Sequence, residues 1–230
     1  DGRRVYENAR EVLMRVEALM SKEASTSETF RIGALEVFCG AVFTKAIVKE
    51  KPEMRFDILE LSPGQIETAL IENRIDLGFT YLPVTVEGVE HLNVAKFKFA
   101  VYTKRGSFKE IPLSEMPFVA PAAAAPMNPM GIKERDVWPD GLFPRKKKYL
   151  VNLLSTAINL AQNGMCAIYI PEFLAEHTNQ MSHSSLELES RRLPSHFERQ
   201  EFSIYLVKRV GSEESSLMKK LSAEIRKVCR

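Results

Sequence analysis

Residues 29–81 read TFRIGALEVFCGAVFTKAIVKEKPEMRFDILELSPGQIETALIENRIDLGFTY, and this stretch decides the fold. Thr29 to Leu35, Arg55 to Leu61 and Ile75 to Tyr81 carry the apolar and β-branched density of strands. Between them, Gly40 to Glu50 reads as a helix stopped by Pro52, and Gly64 to Asn73 as a helix started by Ser62-Pro63. Strand, helix, strand, helix, strand over about fifty residues implies right-handed crossovers, and so a parallel sheet with helices on its faces.

Working outward, a longer strand is expected within Leu92 to Thr103, after which the pattern restarts. Phe118 to Ala120 and Lys147 to Val151 read as strands, Ser155 to Gln162 as a helix, Ala167 to Ile170 as a buried strand, and Pro171-Glu172 as the opening of another helix. Pro121 to Pro144, rich in Ala, Pro, Met and Gly, reads as irregular loop. Leu186 to Arg192 and Glu201 to Lys208 are expected as strands, and Glu213 to Val228 as the closing helix. Upstream, Val5, Ala9, Val12, Val16 and Leu19 recur at alternating spacings of four and three, the seam of a helix that pairs with another helix. The polar run Ser21 to Glu28 reads as a linker. The expected organisation is a linker and dimerisation helix over 1–26, one α/β subdomain from 27–103 and 202–230, and a second from 104–201.

Composition bounds the function. Of 230 residues, 45% are hydrophobic and 27% charged, which is a globular balance. Thirty-two Lys plus Arg against 30 Asp plus Glu give +2, which excludes a whole-chain basic field for nucleic acid. No run approaches the roughly 20 apolar residues of a membrane span, and the first residues lack the apolar block of a signal peptide, so the reading is cytoplasmic with no membrane partner. Cys39, Cys166 and Cys229 show neither a disulfide framework nor zinc spacing. The histidines (His91, His177, His183, His196) stand mostly in polar stretches without metal spacing, and no GxSxG, phosphate loop or CxxC occurs. No catalytic group, metal or cofactor is expected. Arg145-Lys146-Lys147-Lys148 reads as a solvated, edge-protecting strand start.

Several of these stretches resemble the LysR-type transcriptional regulators. Gly2 to Leu13 (GRRVYENAREVL) is similar to that family's linker helix, and Thr29-Phe30-Arg31-Ile32-Gly33 to its first regulatory strand. Ile75-Asp76-Leu77-Gly78 resembles the end of the third strand element, Pro112 to Val119 (PLSEMPFV) the start of the second half, and Gly164 to Pro171 (GMCAIYIP) a late motif. The resemblance is collinear over nearly the whole chain. It implies two Rossmann-like subdomains with a cleft between them, of the type 2 periplasmic-binding-protein kind, behind a linker helix. It further implies a small-molecule effector, self-association as homodimer or tetramer, and DNA contact only through an N-terminal domain absent from this chain. Three departures stand out: Asn73-Arg74 replaces a family Gly, Cys166 replaces a second, and Val37 stands where many members carry a hydroxyl that meets a carboxylate effector.

Ligands of open parallel sheets sit beyond the C-terminal strand ends. That rule selects Leu35, Glu36, Val37, Ser62, Gln65, Thr80, Tyr81, Tyr102, Asn152, Ser155 and Pro171 as effector-binding candidates. Glu36 has two readings: a helix N-terminal cap, or a carboxylate that repels anionic effectors and accepts a cation or hydroxyl. Two other functions share the scaffold. One is a solute-binding protein of a transport system. The other is an enzyme that would have to rely on Glu36 with Tyr81 or Tyr102.

Overall fold

In the computed structural model, which describes residues 2, 6, 9, 12, 13, 16, 29–47, 54–122, 136–193, 197 and 201–229, strand β1 (Thr29–Ala34) lies parallel between β2 (Arg55–Glu60) and β3 (Leu77–Thr80). Ile32 faces Ile58 on one side and Leu77 on the other, and both Ile32 and Leu77 are fully buried. β2 forms the sheet edge, and its charged Arg55, Asp57 and Glu60 suit that solvated position.

The helix after β1 starts four residues before the expected Gly40. α1 (Glu36–Phe38) continues through a π-helical stretch (Cys39–Phe43) into α2 (Thr44–Ile47). Burial of Val37 and Phe38 draws the chain into helix ahead of the glycine, whose poor intrinsic propensity misleads a reading by composition. The Thr44 hydroxyl donates to the Gly40 carbonyl at 2.7 Å inside this widened turn.

α3 (Gln65–Ile71) follows Ser62-Pro63 and a Gly64 held at φ 83°, a conformation a side chain would resist. The buried Glu67 carboxylate accepts the N–H groups of Gly64 (2.8 Å) and Val84 (3.0 Å) and meets His91 Nε2 at 3.1 Å. Asn73 takes a left-handed φ of 55°, as its replacement of a family glycine requires. Asp76 forks onto Arg31, accepting from Nη2 at 2.8 Å and from the Arg31 N–H at 2.9 Å, so the two resemblance motifs lock β1 to the turn before β3.

The sheet order is β2-β1-β3-β9-β4-β7. β9 (Glu201–Arg209) runs antiparallel to β3, and the long β4 (Val89–Lys104) joins the lobes. Val89 to Lys98 pair with β9, whereas Phe99 to Tyr102 pair with β7 (Ile168–Pro171) and Tyr102 to Lys104 with β8 (Leu188–Ser190). The change of partner at Lys98/Phe99 passes the chain from the first lobe to the second. There, β5 (Pro117–Pro121) and β6 (Lys146–Val151) pair in parallel, with a parallel bridge from Phe118 to Ala167. α4 (Leu154–Gln162) and α5 (Glu172–Met181) pack on this lobe, and α6 (Ser216–Val228) returns to the first. Ser215 caps α6 by accepting the Met218 N–H at 3.2 Å, which is why the helix starts later than Glu213.

Two further expectations are corrected. Of Leu186 to Arg192 only β8 is strand, because His183 accepts the Ser185 N–H and turns Ser184–Leu186 into a 3-10 helix. Arg145 is not solvated: its side chain is fully buried, with Lys146 to Lys148 alone on the exposed strand start. Ala9, Val12 and Val16 are helical and exposed, whereas Val5 and Leu19 of the predicted seam lie outside the described residues, as does His196.

Candidate functional site

The two lobes face each other across a cavity of about 110 Å³. Since one ordered water needs roughly 10–15 Å³ on this measure, there is room for a small organic molecule. The first lobe contributes Leu35, Glu36, Val37, Glu60, Leu61, Pro63, Tyr81 and Leu82, the joining strand Phe99. The second lobe contributes Val119 to Pro121, Asp136, Val151 to Leu154, Ala157 and Ile168 to Pro171. The wall is mainly apolar, which is the usual composition of a ligand cleft.

Of the predicted positions, Leu35, Glu36, Val37, Tyr81, Asn152 and Pro171 line this cavity. Ser62, Gln65, Thr80, Tyr102 and Ser155 stand outside its wall. Gln65 Oε1 accepts both the Ser62 hydroxyl (2.6 Å) and the Ser62 N–H (3.0 Å), which spends those groups on starting α3. Thr80 Oγ1 accepts the Leu82 N–H at 3.0 Å, Tyr102 pairs within the second-lobe sheet, and Ser155 is exposed on the first turn of α4. Sequence reasoning missed Glu60, Phe99, Asp136 and Tyr169. Glu60 ends β2 and the strand-end rule could have found it. Asp136 sits in a stretch without periodicity, and no local signal marks it.

Glu36 is a cap, though not of its own helix. Its Oε2 accepts the Leu154 N–H at 3.0 Å, across 118 positions of sequence and from the opposite lobe. The reason lies in α4: its N-cap is Leu153, which has no side-chain acceptor, so the positive end of that helix lacks a local partner. A carboxylate from the first lobe supplies one. On the other side of the cleft Arg145, stacked 5.2 Å from the Trp138 ring, grips Asp136 through Nη1 (2.6 Å) and Nη2 (3.1 Å).

Behind the cavity an aromatic cluster joins the lobes. Phe38 of α1 stacks on Phe173 of α5 with centroids 6.2 Å apart, and Tyr81, just after β3, with Phe97 and Phe99 of β4 continue the contact. These packed rings hold the two lobes together beside the chain crossover.

The surroundings of the three thiols disfavour the thiolate form. Burial first, then Glu60 and Glu36, push Cys39 up to about 12, while burial pushes Cys166 to about 11 and Cys229 to about 12. Burial and then Asp136 likewise raise Tyr169. Among the described residues no cluster of His, Cys, Asp or Glu has metal-binding geometry, and no helix is long and apolar enough to cross a membrane.

Two α/β lobes of this topology around a lined cleft define a ligand-sensing domain of the type 2 periplasmic-binding-protein fold. The particular lineage follows from comparison: the model of the LysR substrate binding domain matches residues 23–230, and the chain belongs to that family. Among solved structures, a variant of the OxyR2 regulatory domain from Vibrio vulnificus matches with a TM-score of 0.65 at 17% identity, covering 88% of this chain and 95% of the other. Full-length BenM matches at 0.61 and 18%, covering 97% and 75%, and a Corynebacterium glutamicum OxyR mutant at 0.61 and 14%, covering 96% and 72%. No curated protein sequence matches the chain. The chain is therefore an effector-sensing regulatory domain of the LysR type and not the solute receptor of a transporter. Regulators of this type bind small-molecule effectors and oligomerise.

Proposed function

We propose that a small molecule enters the interlobe cavity and shifts the closure of the two lobes, turning about the aromatic cluster, and that this closure alters the spacing of DNA-binding heads carried outside this chain. The supporting observation is the cross-lobe hydrogen bond from the Leu154 N–H to Glu36, at the rim of the cavity between the two lobes. A ligand moves such an equilibrium only through unequal affinity for the open and closed forms. Self-association as homodimer or tetramer runs through the seam Val5, Ala9, Val12, Val16 and Leu19, of which Ala9, Val12 and Val16 are exposed, with the helix expected over Gly40 to Glu50 as a second contact. The domain acts in the cytoplasm without a cofactor, as a sensor and not a catalyst, in keeping with its membership of a family of transcription regulators. A thermal-shift screen of metabolites tests this. At a hundredfold excess over Kd a ligand stabilises by about 2.7 kcal/mol, and Leu153→Trp, which adds bulk at the half-exposed cavity mouth, abolishes that shift. Equal stabilisation of the Leu153→Trp protein would place the ligand elsewhere.

A further inference from the structure

The first-lobe wall of the cavity includes two segments from separate strand ends. Leu61 and Pro63 follow β2, Tyr81 and Leu82 follow β3, and β1 lies between those strands, so among the described residues no ladder joins the segments directly. We propose that Glu67, which stands outside the wall, is a positioning residue of the cleft: its buried carboxylate fixes the two segments relative to each other and to the strand that joins the lobes. The inference rests on the cleft being the effector site.

The geometry carries it. Glu67 lies in the first turn of α3 and is fully buried. Its Oε2 accepts the N–H of Gly64, the residue after Pro63, at 2.8 Å. Its Oε1 accepts the Val84 N–H at 3.0 Å, just beyond Leu82. The same oxygen meets His91 Nε2 at 3.1 Å, and because an ionised carboxylate only accepts, that nitrogen carries the proton. His91 belongs to β4 and stands edge-on to Tyr205 of β9 with ring centroids 6.3 Å apart, so the tie ends in packed sheet. Three segments distant in sequence thus converge on one side chain.

A group that only filled this space would need no charge, since burying a carboxylate is costly. What the ionised form adds is a second acceptor oxygen. An amide has one, and its NH2 would face a donor. Burial alone would raise the carboxyl pKa, yet the hydrogen bonds hold it below the ordinary value, so the charge is kept.

Xenon, a neutral probe that enters apolar cavities, tests the proposal on the 230-residue chain. Under xenon pressure the wild-type protein should show saturable shifts of the Leu82 and Ile168 methyl resonances. Glu67→Gln keeps the shape and loses one acceptor, so xenon affinity should fall about threefold to tenfold, the scale of one hydrogen bond. Amide exchange supplies a readout that a general loss of stability would not give. The Leu82 N–H should exchange about tenfold faster in Glu67→Gln. The Asp76 N–H, which donates to the Arg31 carbonyl before the other end of β3, and the Ala167 N–H in the second lobe should stay within about twofold. His91→Phe keeps a ring against Tyr205 and leaves both backbone N–H bonds to Glu67 in place, so it carries the same test with less risk to the fold. There xenon affinity should fall about threefold. Xenon affinity and Leu82 exchange unchanged in both variants, or exchange raised equally at Asp76, overturn the positioning role and leave the cleft reading intact. Wild-type methyls that do not respond to xenon overturn the cleft reading and this inference with it.

Discussion

Replacing Glu36 with Ala removes a side chain that caps α4 from the opposite lobe. A hydrogen bond to a charged group is worth roughly 1.5–3 kcal/mol when dry, and loss of an N-cap costs roughly 0.5–2 kcal/mol. Glu36 is half-buried, so water replaces part of the interaction, and about 1 kcal/mol is the expected loss. That corresponds to about a fivefold rise in the population of opened cleft and a fall in Tm of about 2–4 °C for a chain of this size. Amide hydrogen exchange is the assay. The Leu154 N–H should exchange about fivefold faster in Glu36→Ala, while the Leu61 N–H, which donates to the Ala34 carbonyl at 2.9 Å within the first lobe, keeps its rate. Glu36→Gln retains an acceptor oxygen and should fall between the two. Unchanged protection of Leu154 would refute the latch, and so would a loss spread evenly over both lobes.

Other outcomes are as specific. Burial alone would raise the Glu67 carboxyl, but hydrogen bonds from His91, Val84 and Gly64 overcome it and hold the pKa below the ordinary value. Its contribution is therefore present above the unfolded carboxylate range near roughly pH 4.3 and is lost as pH falls below it, a slope that denaturant titrations should find missing in Glu67→Gln. Glu67→Ala, which strands the Gly64 and Val84 N–H groups, should cost about 3 kcal/mol by urea unfolding. Gly78→Ala would press a methyl into Ile66 Cγ2 and to 3.2 Å from Val207 Cβ, lowering stability by about 1–3 kcal/mol in the same assay. Arg145→Met leaves Asp136 and Asp140 without their shared cation and should destabilise the second lobe by about 3 kcal/mol, seen as early loss of Trp138 fluorescence on heating. Iodoacetamide at pH 7.5 should alkylate Cys166 only on unfolding, since a pKa of about 11 leaves fewer than about one thiol in a thousand ionised.

The first-lobe strands were legible because each is a short apolar run bounded by Pro, Gly or Asn, and a parallel sheet buries both of its faces. Helix starts were less so: Gly40 and Glu213 attract a boundary by residue type, whereas Phe38 burial and the Ser215 cap decide it. The site divides in the same way. Residues at strand ends (Leu35, Val37, Tyr81, Pro171) follow from topology. Hydroxyls chosen by the same rule proved engaged close by in sequence, Ser62 donating to the Gln65 side chain and Thr80 accepting the Leu82 N–H, because short side chains bond near neighbours first. Asp136 and Arg145 were opaque. Their meaning depends on a buried ion pair under Trp138, which no periodicity encodes. Glu36 was visible as a cap, but which helix it caps depends on a distance between lobes.

The account stands or falls on whether occupancy of the cleft changes the distance between the lobes. Spin labels on Glu72→Cys in the first lobe and on Met181→Cys in the second, both exposed, report that distance by double electron–electron resonance. With the tightest ligand from the thermal-shift screen at saturation, the distribution should narrow and shift toward a single closed distance, and Glu36→Ala without ligand should broaden it. An identical distribution with and without saturating ligand would contradict the claim.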